Sequence, residues 1–346
     1  MFSSVSTAIS TKARARYGKR LTSRNFDELL SLSTVPDVAN YLKTRTHYSD
    51  GLDALKDTDI HRASLESFLR AQTFHDIATL SKFNISVGEQ LSGGYMLTRG
   101  EIDELLTFLR FFISGKPSEY YHVLPDYFNK RTDIDLVALS QVKTNMDFLK
   151  VIKDTDYFRI LKEFFDKDDK NINFTEIEAT LDRYLYDETK RGIKSKYKGK
   201  TRAELISLFT IKAELDNVKK IYRAKKYYKL DDEVISGLLN NEMHFLKNRE
   251  LDAMIQAKTP DEVINIFKSS SYGRRSDNID ISIDKTSLKI MYRYFQKMMR
   301  YSSNPPVILT AIIFLFELEM EDIINIIEGI RYKLPAEKIK SLLVTY

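Results

Sequence analysis

Gly199-Lys200-Thr201 has the ending of a phosphate-binding loop, in which backbone N–H groups wrap a phosphate and the lysine meets its charge. The glycine required five residues before Gly199 is Lys194 here, and no strand leads in, so a nucleotide site is not expected. DKDDKNINFTEIE offers Asp166 and Asp168 as first and third ligands of a calcium loop. Lys170 takes the fifth position, Asn171 replaces the turn glycine and Ile177 stands where a bidentate glutamate is needed, so the loop fails and Asn173 with Glu176 reads as a helix cap. The five histidines (His47, His61, His75, His122, His244) never form His-x-x-x-His, and no serine lies in Gly-x-Ser-x-Gly. Cysteine is absent, which removes thiolate nucleophiles, disulfides and thiolate-ligated metals. No cofactor, metal or small-molecule substrate is expected.

Two basic stretches remain. Residues 190–202 hold Lys190, Arg191, Lys194, Lys196, Lys198, Lys200 and Arg202, a solvated face or a docking surface for an acidic partner. KKIYRAKKYYK, residues 219–229, interleaves bases and aromatics as binders of single-stranded RNA do. The stronger reading turns Val218, Ile221 and Tyr222 to a core and leaves Lys219, Lys220 and Arg223 to solvent or neighbouring acids. A net charge of +5 on a chain that is 30% charged is too small to specify nucleic acid.

The elements that carry these residues repeat. Thr34 with Asp37, Thr144 with Asp147 and Thr259 with Glu262 fit the capping pattern [ST]-x-x-[DE], with the threonines 110 and 115 residues apart. FDELLSLST, LVALSQVKT and LDAMIQAKT run into the three caps, and Tyr48, Tyr157 and Tyr272 follow them by 14, 13 and 13 residues. A second element opens at Glu101-Ile102-Asp103, Glu214-Leu215-Asp216 and Glu317-Leu318-Glu319, with Arg110, Arg223 and Ile326 at one common offset. A third matches Leu230, Glu233, Ile235, Leu238 and Leu239 to Leu334, Glu337, Ile339, Leu342 and Leu343. Units of about 110 residues suit autonomous domains better than solenoid repeats. We expect three lobes, residues 1–128, 129–240 and 241–346, with the segment 1–25 helping to complete the last.

Only 12 glycines and 7 prolines punctuate 346 residues, and apolar positions recur every three or four, so the class is all-α. Pro305-Pro306 should start a helix running to about Ile330. Connections are expected at residues 114–119, 166–173 and 268–280. The most apolar stretch, Val307 to Phe316, is ten residues long; a span needs roughly 20, so it reads as a buried core helix. No signal peptide is evident, and a reducing, cytosolic setting fits the composition.

The ordered combination is similar to the C-subunit family of prokaryotic V-type (A-type) rotary ATPases, whose eukaryotic counterpart is the d subunit. It is carried by KARARYGKR, Leu29-Leu30, the capped segment Thr34 to Leu42 and Thr46-His47-Tyr48. Glu214, Asn217, Val218, Lys219 and Arg223 continue it, as do Glu317, Glu319, Glu328-Gly329 and Leu334-Pro335. Asp322 and Ile323 stand where a basic residue is the family's habit. The resemblance implies three helical lobes in pseudo-threefold array, a funnel-shaped socket between the central stalk and the membrane rotor ring. It implies a non-catalytic part that passes torque on the cytoplasmic face of the membrane. Tyr48, Tyr157, Tyr272, Arg110, Arg223, Lys190, Arg191 and Lys194 are the candidate socket or partner contacts. The alternative is a helical-repeat scaffold or nucleic-acid binder using residues 190–202 and 219–229.

Overall fold

The computed structural model describes residues 4–49, 65, 68–72, 75, 88–123, 128, 132–165, 172–240, 245–275 and 282–346. His61, His244, the His122 side chain, residues 166–171 and the end of the 268–280 connection lie outside the described residues. Every regular element among the described residues is helical. They are α1 (Ser4–Tyr17), α2 (Ser23–Leu30), α3 (Val35–Arg45), α4 (Gly88–Ile113), α5 (Leu136–Ser140), α6 (Asn145–Ile152), α7 (Asp156–Phe165) and α8 (Phe174–Lys196). There follow α9 (Gly199–Arg223), α10 (Asp232–Gly237), α11 (Asn248–Gln256), α12 (Pro260–Ser269), α13 (Ile283–Tyr301), α14 (Pro305–Arg331) and α15 (Ala336–Lys340).

All three predicted caps form. Thr34, Thr144 and Thr259 are extended at φ near −130° and accept from the N–H of Asp37, Asp147 and Glu262 at 3.2, 3.1 and 3.2 Å. Each satisfies one of the N–H groups that a helix start leaves without a partner. Asn173 caps α8 through the Glu176 N–H at 3.2 Å, and α14 opens on the two prolines.

The long helices α4, α9 and α14 also end alike. Gly115, Lys229 and Lys333 each adopt positive φ, at 76°, 49° and 54°. The next residue folds its N–H back into the helix, Lys116 to Phe111 O at 2.9 Å and Leu334 to Gly329 O at 2.8 Å. In α9 the return is longer, Leu230 to Ala224 O at 3.4 Å, because Ala224–Tyr228 is a π turn. A π turn holds one residue more than α-helix for the same path.

Each long helix supports the capped hairpin of the next copy. Phe108 of α4 stacks on Phe148 of α6 at 5.7 Å, and Phe267 of α12 and Met254 of α11 lie in the core built on α9. The last long helix closes on the first hairpin: Leu29, Leu30, Val38 and Leu42 share one core with Ile323, Ile326, Ile327 and Ile330 of α14. Helix α1 packs on α14 as well, and Arg14 donates to the carbonyls of Met299 and Ser302 at 3.1 and 2.9 Å. The amino-terminal helix thus packs against the carboxy-terminal helices α13 and α14. Among the described residues α14 is buried from Pro305 to Phe316, yet no helix is long and apolar enough to cross a membrane.

Candidate functional site

Three equivalent carboxylates organise the chain. Glu101 accepts from the Tyr157 hydroxyl at 2.8 Å, Glu214 from the Tyr272 hydroxyl, and Glu319 from the Tyr48 hydroxyl at 3.0 Å. Each carboxylate takes a second bond from the segment entering the next hairpin: the Thr132 hydroxyl on Glu101 at 2.9 Å, the Phe245 N–H on Glu214 at 2.9 Å, the Leu21 N–H on Glu319 at 2.9 Å. Every copy is stapled to its successor, and the third to the first. All three tyrosines are buried, with 2 to 5% exposure, so their phenols face this chain's own acids.

The third acid corrects the sequence register. Glu317-Leu318-Glu319 is not the counterpart of Glu101-Ile102-Asp103; Glu319-Met320-Glu321 is, two residues on. With that shift Glu104, Asn217 and Asp322 become equivalent, and they do equivalent work. Asn217 exchanges two hydrogen bonds with the Asn240 backbone, at 2.7 and 2.9 Å. Asp322 takes the N–H groups of Val344 and Thr345 at 3.0 and 2.6 Å, and Glu104 takes the Tyr120 hydroxyl at 2.8 Å. The unexpected acid at Asp322 therefore anchors the chain after α15. Burial pushes Asp322 up to about 6 against those donors. Burial likewise pushes Glu104 and Glu319 up to about 7.

Two residues before the stapling acids stand Arg99, Lys212 and Glu317, and these meet. Lys212 lies 3.9 Å from Glu317, and Arg99 donates to Asp103 at 3.1 Å. Arg99, Asp103, Lys212, Glu317 and Glu321 line a polar cleft of about 190 Å3. Beneath it Phe209 and Phe314, equivalent to Met96, pack edge to face at 5.2 Å, with Tyr95 against both at 5.0 and 5.6 Å. Asp216 sits nearby. Burial would raise its carboxyl, but Lys219 at 2.6 Å and Lys212 outweigh it and hold the group well below the usual carboxylate range. This centre can grip charged side chains; it offers no activated nucleophile, and no group of three potential metal ligands occurs among the described residues.

The other candidates are placed differently. Arg110 and Arg223 are exposed and paired outward, Arg110 3.8 Å from Glu178 and 5.2 Å over the Phe174 ring, Arg223 2.7 Å from Asp284. Lys190 lines a 170 Å3 cleft with Phe209 and Asn240, where burial and then Lys194 lower its pKa. Arg191 is bonded to Glu188, and Lys194 is exposed at the end of α8, where cations face the negative end of the helix. Gly199 opens α9 directly after α8, so no strand precedes it. Ile221 and Tyr222 of the 219–229 stretch are buried, as is the preceding Val218, while Lys219 and Lys220 meet Asp216 and Asp182 at 2.6 and 3.0 Å. The central residues Arg99 and Lys212 escaped the sequence reading, although their spacing of 113 residues matches that of Glu101 and Glu214.

The chain is 23% identical over 266 residues to the C subunit of an A-type ATP synthase from Methanosphaera stadtmanae, covering 76% of this chain and 65% of that one. It is 25% identical over 221 residues to the C subunit of an A-type ATP synthase from Methanocaldococcus jannaschii, covering 61% and 54%. The chain thus matches less than two thirds of the length of these curated relatives. Residues 9–342 match the family described as ATP synthase (C/AC39) subunit. With the match running from α1 to α15, through all three staples, the chain belongs to the family of ATP synthase (C/AC39) subunits.

Proposed function

We propose that this chain is the non-catalytic socket of a rotary ATPase, seated on the membrane rotor ring and receiving the foot of the central stalk. Its three lobes, residues 1–128, 129–240 and 241–346, form a funnel in pseudo-threefold array that transmits torque on the cytoplasmic face of the membrane. The observation that carries this reading is the third staple, Glu319 to Tyr48 and Leu21, which ties the last copy to the first. A torque-bearing adaptor must not open under load, and a closed circuit of packed helices has no free end from which to unwind. Its grip is spread over many contacts, because one exposed ion pair contributes only about 0.2 to 1 kcal/mol. The charged centre around Arg99, Lys212 and Glu317 supplies such contacts at the meeting point of α4, α9 and α14.

Co-expression with the stalk and ring proteins tests the assignment. The chain should co-purify with both, and charge reversal at Lys212 should weaken capture of the stalk while the folded far-ultraviolet spectrum is kept. Failure to associate with either partner contradicts the proposal.

A further inference from the structure

The turn between α8 and α9 is a basic tip. From Thr189 to Ala203 the sequence holds seven cations and no acid. The nearest acids in sequence on either side are engaged, Glu188 by Arg191, and Glu204 by Lys200 at 3.7 Å and by the Ser302 hydroxyl at 2.9 Å. Lys194, Lys196 and Lys198 are exposed, and among the described residues none of them makes an ion pair or hydrogen bond through its side chain. The turn itself is fixed. Tyr197 returns its N–H to Ile193 O at 3.0 Å, and the Arg202 guanidinium donates to the carbonyls of Tyr197 and, at 3.1 Å, Lys194. The bond from Ser302 to Glu204 also holds the segment carrying Tyr301, which is 80% exposed, beside the start of α9.

Side chains two apart on a helix point about 200° apart, so Lys194 and Lys196 splay around the end of α8 instead of converging on one small anion. Lysine carries a point charge with no rigid fork, which suits many mobile anions better than one oriented group. Tyr197 is half-buried, and burial pushes its phenol up to about 12, so it offers a base no open face for stacking. Tyr301 is amphipathic, with a ring for the apolar side of an interface and a hydroxyl for the wet side. A broad anionic surface bounded by an apolar layer answers all of these features. We propose that the α8–α9 tip docks end-on against an anionic phospholipid bilayer, with Lys194, Lys196 and Lys198 among the headgroups and Tyr301 at the interface. Headgroups exchange laterally, so this contact holds the tip to the surface without fixing its angle. The proposal does not rest on the rotary role, and its test needs neither stalk nor ring.

Sedimentation of the full chain with vesicles of phosphatidylcholine, alone or mixed with phosphatidylglycerol, provides the test. The mixed vesicles alone should capture the chain, and less of it as salt screens the charge. Replacing Lys194, Lys196 and Lys198 together by Gln should weaken capture roughly a hundredfold, about fivefold for each cation lost near a charged surface. Gln at Lys143, Lys150 and Lys153, in and beside α6, removes the same charge and should leave capture unchanged. All of these lysines are exposed, so both variants should keep the melting temperature of the parent chain. The sequence has no tryptophan, so Tyr301→Trp installs a single reporter whose emission should shift to the blue on the mixed vesicles. No capture, equal capture by neutral vesicles, equal weakening by the α6 variant or an unmoved emission overturns the proposal. Retention of poly(U) RNA without vesicle capture also overturns it and assigns the tip to nucleic acid.

Discussion

Glu214 is fully buried and accepts from the Phe245 N–H and the Tyr272 hydroxyl, so the phenol cannot be removed without leaving an acceptor short. Tyr272→Phe should cost about 1.5 to 3 kcal/mol, the range for hydrogen bonds to charged groups, read as a lower urea midpoint at unchanged slope. A loss below about 0.5 kcal/mol, the size of an ordinary surface substitution, would show that the staple is ornamental. Glu104 gives a pH prediction. Burial holds its folded pKa near 7 against a reference of 4.5, so the folded state binds the extra proton. Its contribution is complete below 4.5 and is lost as pH rises through 7. His47 works the other way: burial, then Arg16, lowers it from 6.5 to about 4, and its contribution fades as pH falls through that window. Glu104→Gln should therefore flatten the decline in stability between pH 5 and 7, measured by urea unfolding across pH.

Helix ends carry the next test. Lys333 holds φ of 54° at the position where Gly115 holds 76°, and a side chain there crowds its own backbone. Lys333→Gly should stabilise the chain by about 0.5 to 1 kcal/mol, and Gly115→Ala should destabilise it by a similar amount, both from urea midpoints. Much at this scale was legible beforehand. Caps are made from residues three apart, so Thr34, Thr144 and Thr259 announced them, as Pro305-Pro306 announced α14. The register of the third acid was not legible, because Glu317, Glu319 and Glu321 alternate and two alignments fit equally well. Only the distant partner, Tyr48, chooses between them. The π turn had left a trace: Glu214 and Glu319 are 105 residues apart but Leu230 and Leu334 only 104, and the missing residue is the one Ala224–Tyr228 absorbs.

For the whole molecule, the staples differ in what they join. Two connect neighbours along the chain, whereas Glu319 reaches 271 residues back to Tyr48. Tyr48→Phe should therefore speed hydrogen exchange in α2, α3 and α15 together, since those share the closing core, while Tyr157→Phe should confine its effect to α4 to α7. Identical local patterns from both variants would mean that the closure adds nothing to the circuit.

One detail of the centre reaches further. The backbone plan is reiterated three times, but the inward positions carry arginine, lysine and glutamate, two cations and one anion. In the proposed socket, a shaft with an uneven charge pattern would meet an attractive face at one angle and a repulsive one at the other two settings. The proposal then carries a further expectation, that such a socket would index its axle as well as hold it, fixing the angular phase between the two.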